Sequence, residues 1–333
     1  MPSPLQTTPP ARHRAVDLFA GVGGLDLPAA ALGVHVTGIE QSPDACATRR
    51  AAGLATIEGD VRDFSPDDFP SATVLLGGPP CQPFSAAGTG AGRRALAEIV
   101  ALAHRLSERR HVSRRTGHPT ADLIRLVLEP LRWALDAHDR GRPFETIVLE
   151  QVPAVLPVWD AYAAILRTQG YGVATGTVKA EQYGVPQTRR RAVLIARRTG
   201  PAALPEPTHR PYAKHVPRTA GDPGLLPWTT MADALPGRCG AFSVVSNYGT
   251  GGDPKARGRR ASTEPSATVT GKVSRVRVLA DDGTENRFTW SEAGALQSFP
   301  ADQPWSGRDI GQQIGNAVPP LLGKHLLSVA LDA

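Results

Sequence analysis

An α/β fold is what this sequence predicts, and three observations predict it. Short apolar runs alternate with helical patterns through the first half of the chain. One of these runs empties into a glycine-rich turn that opens a helical pattern. After Gly200 the periodicity fades and Pro and Gly cluster, the texture of a separate, small, irregular module.

The elements follow in order. The first dozen residues, up to His13, are rich in Pro and Thr, lack the apolar core of a signal peptide and read as a loose tail. Ala15–Phe19 reads as a strand that ends at the turn Ala20–Gly24, and Leu25–Leu32 as the helix behind it. Val34–Ile39 is a second strand, closed by Glu40. Pro43–Ala52 is the next helix, with Ser42 as N-cap and Pro43 at the first helical position. A third strand is expected before Glu58-Gly59-Asp60-Val61. Thr73–Leu76 runs into Gly77-Gly78-Pro79-Pro80, Thr146–Leu149 ends on Glu150, and Arg191–Ala196 is the last clear strand of this block. In the irregular stretch, Phe242–Val245, Ala267–Thr270 and Val273–Leu279 read as β. Helical patterns return at Ser291–Leu296 and Pro319–Leu331.

The chain has 333 residues, 41% of them hydrophobic, enough for a sizeable core. Its three cysteines, Cys46, Cys81 and Cys239, stand far apart without metal-ligand spacing. No metal and no disulfide framework are expected, which fits a reducing compartment. No apolar run approaches a membrane span, so no membrane partner is expected. A net charge of +6 and a pI near 9.5 favour a polyanionic partner, though weakly. From Gly88 to Thr120 the sequence is rich in Arg and carries His104, His111 and His118. It reads either as a solvated helix face or as a basic segment in which Arg105, Arg109, Arg110, Arg114 and Arg115 contact phosphates.

Chemistry concentrates in a few places. The strand, glycine-rich turn and helix over Asp17–Gly24 form a cradle where a ligand approaches backbone N–H groups, and Glu40 at the next strand end suits ribose hydroxyls. A lone glycine-rich turn is also what a merely structural tight turn looks like. Asp60 suits an adenine amino group, though such a residue alone is more often just a loop Asp. In Gly77-Gly78-Pro79-Pro80-Cys81-Gln82-Pro83-Phe84-Ser85 a cysteine leaves a strand end on a proline-stiffened loop. Open α/β sheets place reactive groups there, and the thiolate is the reactive form of the side chain.

The string Pro-Pro-Cys-Gln-Pro-Phe-Ser resembles the catalytic motif of the cytosine-5 DNA methyltransferase family of bacterial type. The family's other motifs follow in order. Phe19-Ala20-Gly21-Val22-Gly23-Gly24 is similar to its cofactor loop, Glu40 and Asp60 to its ribose and adenine acceptors, and Glu150-Gln151-Val152 to its Glu-Asn-Val. Gln187-Thr188-Arg189-Arg190-Arg191 is similar to its Gln-x-Arg-x-Arg, and Gln313–Pro320 to its C-terminal motif. The resemblance implies a doubly wound, mostly parallel Rossmann-like sheet with S-adenosyl-L-methionine as cofactor. It implies Cys81, Glu150, Arg189 and Arg191 as catalytic residues: Cys81 attacks ring carbon 6 of a flipped-out cytosine, Glu150 serves ring nitrogen N3, Arg191 holds the base carbonyl, and Arg189 braces the site. The cofactor would meet Phe19, Ala20, Gly21, Gly23, Gly24, Leu25, Glu40, Asp60, Val61, Gly78, Pro80, Asn316 and Ala317. DNA would meet Gln82, Ser85 and Gln187.

The same resemblance implies a flexible tail over 1–13, a catalytic and cofactor-binding domain over 14–199 with the basic insert at about 88–120, a target-recognition domain over 200–286, and 287–333 completing the first. Duplex DNA would lie in a basic cleft between them. A cytoplasmic, nucleoid-associated monomer, partnered by a restriction endonuclease or another phage-defence component, is the implied setting. Three departures stand out: Gln151 replaces Asn, and Ser291 and Ala295 stand where the family commonly has Arg. The alternatives are a tRNA cytosine-5 methyltransferase, whose additional Cys-Phe-Thr motif is absent here, and a non-catalytic DNA-binding relative.

Overall fold

The computed structural model describes residues 13–80, 84, 94–238, 240–249 and 257–332. The expected tail lies outside these apart from His13, which opens a strand. Cys81, Gln82, Ser85 and Cys239 also lie outside them.

In chain order the first block holds β1 (His13–Leu18), α1 (Asp26–Ala31), β2 (Val34–Glu40), α2 (Pro43–Ala51), β3 (Thr56–Glu58), β4 (Val74–Gly77), α3 (Leu96–Ser107), α4 (Pro119–Arg125), α5 (Glu129–Asp139), β5 (Thr146–Gln151), α6 (Leu156–Thr168), β6 (Gly172–Lys179) and β7 (Arg190–Arg197). The second holds α7 (Met231–Ala234), β8 (Phe242–Gly249), β9 (Arg257–Ala261), β10 (Arg277–Ala280), β11 (Glu285–Asn286), α8 (Trp290–Leu296), α9 (Ile310–Asn316) and α10 (Pro320–Leu331).

The seven strands of the first block form one sheet in the order β3-β2-β1-β4-β5-β7-β6. Every pairing is parallel except those of β7, which runs against both β5 and β6. The mostly parallel sheet predicted from sequence is therefore the one found. Its central strands are apolar on both faces because helices cover both. On one face α1 and α10 set Ala29, Leu322 and Leu326 against Leu76, Val148 and Val193. On the other, α3, α5 and α6 set Leu102, Trp133 and Trp159 against Leu18, Leu75 and Ile147. Ser42 does cap α2, its hydroxyl accepting from the Ala45 N–H at 3.4 Å.

A smaller antiparallel sheet, β11-β10-β8-β9, packs Phe242, Val244 and Val278 against Leu296 of α8 and Ile314 of α9. Two expectations are corrected here. Ala267–Thr270 joins neither sheet, and the Val273–Leu279 run divides into a 3-10 turn, Val273–Arg275, and the start of β10. Among the described residues no helix is long and apolar enough to cross a membrane.

Candidate active site

A cavity of about 210 Å³ opens at the carboxyl ends of β1, β2, β4 and β5, where an open parallel sheet binds its ligands. Its floor is the turn after β1. Phe19 takes a left-handed φ of 64°, an uncommon conformation for an aromatic residue, and reverses the chain there. Gly24 lets the turn meet the C-terminal segment, since a Cβ at this position would lie 2.2 Å from the Val318 carbonyl oxygen. The turn is tied to β2 by Glu40, whose two oxygens accept from the Gly21 N–H at 2.8 Å and the Ser42 N–H at 2.7 Å. Each carboxylate oxygen has a second acceptor position, which suits a ribose diol.

The cavity is lined by Phe19, Ala20, Gly21, Gly24, Leu25, Glu40, Asp60, Val61, Gly78, Pro80, Asn316 and Ala317, all of them residues expected at the cofactor. Gly23, expected with them, does not line it. Its φ of 94° serves the turn, and its face toward the protein is closed by Leu54. Asp60 lines the cavity already engaged. Its Oδ1 accepts from the Arg62 backbone N–H at 2.9 Å, and Oδ2 accepts from Arg62 Nη2 at 2.6 Å and Arg115 Nη2 at 3.3 Å. Partial burial works to raise the Asp60 carboxyl, but the Arg62 bonds and charge outweigh it and hold it below its usual range.

Glu150, the penultimate residue of β5, and Arg191, on the neighbouring β7, reach the same cavity. Their ion pair, Nε to Oε1, measures 2.6 Å, and they are 6% and 8% exposed. The contact lies off the axis of a hydrogen bond, so it is held by charge. Gln151 follows Glu150 and faces the β4 exit, donating from Nε2 to the Pro79 carbonyl at 2.6 Å and accepting the Val152 N–H. The residue that departs from the family pattern thus braces the chain two residues before Cys81.

Two side chains stand elsewhere than expected. Gln187, assigned to DNA, is fully buried: it donates to the Leu296 carbonyl at 2.8 Å and to Gln297 Oε1, and it accepts from the Val269 N–H at 3.0 Å. Its amide ties the segment before β7 to the end of α8 and to Val269, and does not face solvent. Arg189, assigned to catalysis, is 1% exposed and donates to the carbonyls of Val269, Gly315 and Ala317, each at 3.0 Å. It is a positioning residue for the segment carrying Asn316 and Ala317.

Sequence reasoning missed several cavity residues, among them Asp17, Leu123 and Leu126. The leucines sit just behind the basic insert, where the apolar spacing Leu123-Ile124-x-Leu126 was a readable signal. Asp17 was quoted only as the start of the turn motif. It is 2% exposed, and burial, joined by the charge of Asp26, pushes its carboxyl well above the ordinary value. Cys46 is excluded as a nucleophile. Its Sγ contacts the Glu40 carbonyl at 3.3 Å, and burial pushes its thiol up to about 11. Among the described residues no group of His, Cys, Asp and Glu is placed to hold a metal ion.

Comparison with known proteins adds to this geometry. Residues 13–99 and 147–221 match the family described as C-5 cytosine-specific DNA methylase. The type II methyltransferase M1.HphI of Haemophilus parahaemolyticus is 30% identical, over 95% of this chain and 86% of its own. The type II methyltransferase M.AplI of Arthrospira platensis is 31% identical, over 93% and 83%. Among solved structures, the S. pombe Dnmt2 methyltransferase shares the fold with a TM-score of 0.60 at 15% identity, over 96% of this chain and 99% of that one. The Entamoeba histolytica methyltransferase EhMeth shares it with a TM-score of 0.57 at 13% identity, over 96% and 98%.

Proposed function

The chain belongs to the C-5 cytosine-specific DNA methylase family and is a DNA (cytosine-5-)-methyltransferase, and from that premise we propose that Cys81 is the nucleophile, S-adenosyl-L-methionine the cofactor, and a cytosine flipped out of duplex DNA the substrate. The observation that carries the reading is convergence. Gly78 and Pro80, which lead to Cys81, share one cavity with Glu40, Asp60, Glu150 and Arg191.

The residues fit the cofactor. The turn over Phe19–Gly24 lines the cavity with Phe19, Ala20, Gly21 and Gly24, and Glu40 keeps acceptor positions for the ribose. When bound, S-adenosyl-L-methionine supplies an electrophilic methyl group on a sulfonium. The chain's own residues do the rest. The Cys81 thiolate adds to carbon 6 of the base and drives electron density onto carbon 5. Glu150 protonates or hydrogen-bonds ring nitrogen N3, where the charge otherwise accumulates, and Arg191 holds the carbonyl oxygen. After transfer, loss of the carbon 5 proton to a base expels the thiolate and restores the ring. The stacked base is out of reach of this geometry, so it must leave the duplex at a cost of a few kcal/mol.

The small sheet and the loops around it are the part that would read the DNA sequence. The likeness to type II methyltransferases supports a role in restriction–modification. Bisulfite sequencing of DNA from cells expressing the protein tests this and gives the target sequence. Methylated cytosines at one recurring sequence are expected, with none for Cys81→Ser. Methylation confined to tRNA would overturn the DNA substrate, and methylation retained by Cys81→Ser would overturn the nucleophile.

A further inference from the structure

Below the cofactor turn lie two carboxylates and one guanidinium. Asp17 is the fifth residue of β1 and lines the cavity; Asp26 opens α1; Arg49 comes from α2 and is fully buried. Arg49 pairs with Asp26, Nη2 to Oδ1 at 2.5 Å. It also donates to the Ala20 carbonyl at 3.2 Å, the Ala55 carbonyl at 3.1 Å and Thr56 Oγ1 at 3.1 Å, so its guanidinium is engaged on every nitrogen. The other oxygen of Asp26, Oδ2, is buried without a hydrogen-bond partner among the described residues, and so is Asp17 Oδ1. The two carboxyl groups stand within hydrogen-bonding reach of each other. Two buried acceptors side by side with no donor are costly, and one proton between them satisfies both.

We propose that Asp17 and Asp26 share a proton beneath the cofactor turn, that Asp17 releases it to solvent when a sulfonium enters the cavity, and that the resulting carboxylate distinguishes the cationic cofactor from its neutral-sulfur product. The inference rests on the cavity being the S-adenosyl-L-methionine site. Arg49 favours the ionised Asp17, whereas Asp26 and Glu40, the latter from β2, oppose it; burial opposes it most. An incoming cation shifts that balance toward the carboxylate. S-adenosylhomocysteine carries one positive charge fewer and leaves the proton in place. Once the methyl group has moved, Asp17 takes a proton back from solvent, and the cavity loses its preference for what it holds.

The test is titration calorimetry of the full chain with S-adenosyl-L-methionine and with S-adenosylhomocysteine, each across a series of pH values in buffers of differing ionisation enthalpy. The cofactor is expected to release about one proton and the product none. In Asp17→Asn the amide keeps a donor toward Asp26. It is expected to abolish the release and move the cofactor-to-product affinity ratio about tenfold toward the product. Equal proton release with both ligands overturns the proposal, as does an unchanged ratio in Asp17→Asn. If that variant does not fold, the buffer dependence of the parent decides alone. Binding of neither ligand would instead sink the cofactor reading and this inference with it.

Discussion

A glutamine in place of the family's asparagine acts on a proline carbonyl. Gln151 holds the Pro79 oxygen at 2.6 Å, and that carbonyl sits two residues before Cys81. Gln151→Ala should lower kcat roughly 100-fold, the size of effect a small misplacement of a reacting group produces. Cofactor affinity should stay near the parent value, because the cofactor turn keeps its own ties to Glu40; single-turnover kinetics and calorimetry measure the two separately. Asp17 gives a second prediction. Its folded carboxyl titrates well above the unfolded one, so above about pH 4 the folded state holds a proton that the unfolded state has lost. Stability therefore falls as pH rises from there to the folded value, by about 1.4 kcal/mol per pH unit. Asp17→Asn removes that dependence, and its melting temperature relative to the parent should climb from pH 4 upward; a constant difference would contradict it. At this scale, motifs made Glu40, Glu150 and Arg191 legible. They marked Gln187 and Arg189 too, but a motif carries no information on which way a side chain faces, and both turned inward.

The segment from α3 to α5 shows the same limit for whole elements. Its arginines are numerous, and of those considered for phosphates Arg109, Arg114 and Arg115 are matched to acids. Arg109 pairs with Asp139 at 2.5 Å, Arg114 with the buried Glu129 at 2.9 Å, and Arg115 with Asp63 at 2.6 Å. Arg105 donates to the His111 carbonyl at 3.2 Å, while Ile99, Leu102 and Leu106 of α3 face the core. These contacts favour an anchoring role for Arg109, Arg114 and Arg115 over the phosphate-binding one. Replacing Arg105, Arg109, Arg110, Arg114 and Arg115 with neutral residues should leave the salt slope of DNA binding unchanged. It should destabilise the fold by roughly 1–3 kcal/mol, chiefly by weakening the contacts of Glu129. A slope smaller by about 0.9 per arginine would restore the phosphate role. The strands flanking the site were legible because they are buried on both faces. β6 was not: it is an edge strand paired only with β7, mostly half-buried, and its two glycines dilute the pattern. Ala267–Thr270 was misread for a different reason. Its backbone is satisfied by side chains, with Gln187 accepting from the Val269 N–H and Arg189 donating to the Val269 carbonyl.

At the scale of the molecule, the question is what holds the small sheet at a fixed angle to the large one, since DNA would be read by one and methylated by the other. The family's arginines at Ser291 and Ala295 are missing, and Ser291 only reaches the Ala301 carbonyl at 2.9 Å. Arg238, just before β8, fastens the small sheet to α8, whose last residue, Leu296, accepts from Gln187 ahead of β7. It grips both oxygens of Glu292 on α8 at 2.7 and 3.0 Å, donates to Asn286 Oδ1 at 2.8 Å and to the Arg287 carbonyl at 3.1 Å, and lies 5.5 Å from the ring centres of Phe242 and Phe288. Glu292 also caps α8 through Thr289, so one carboxylate fixes both the helix end and the arginine. Burial works to raise that carboxyl, but Arg238 and Thr289 together hold it below its usual range. The joint is therefore intact at neutral pH and weakens only as Glu292 is protonated in acid. None of these partners lines the cofactor cavity. Arg238→Ala should thus raise the KM for DNA roughly tenfold or more while leaving cofactor affinity at the parent value. Arg238→Lys should recover little of the loss, because a lysine ammonium cannot span both carboxylate oxygens and stack on two rings. DNA titration beside cofactor calorimetry separates this from general unfolding, which would lower both affinities together. Parental DNA affinity in Arg238→Ala would mean that the orientation of the small sheet is set without Arg238, by the contacts around Gln187, Thr188 and Arg189.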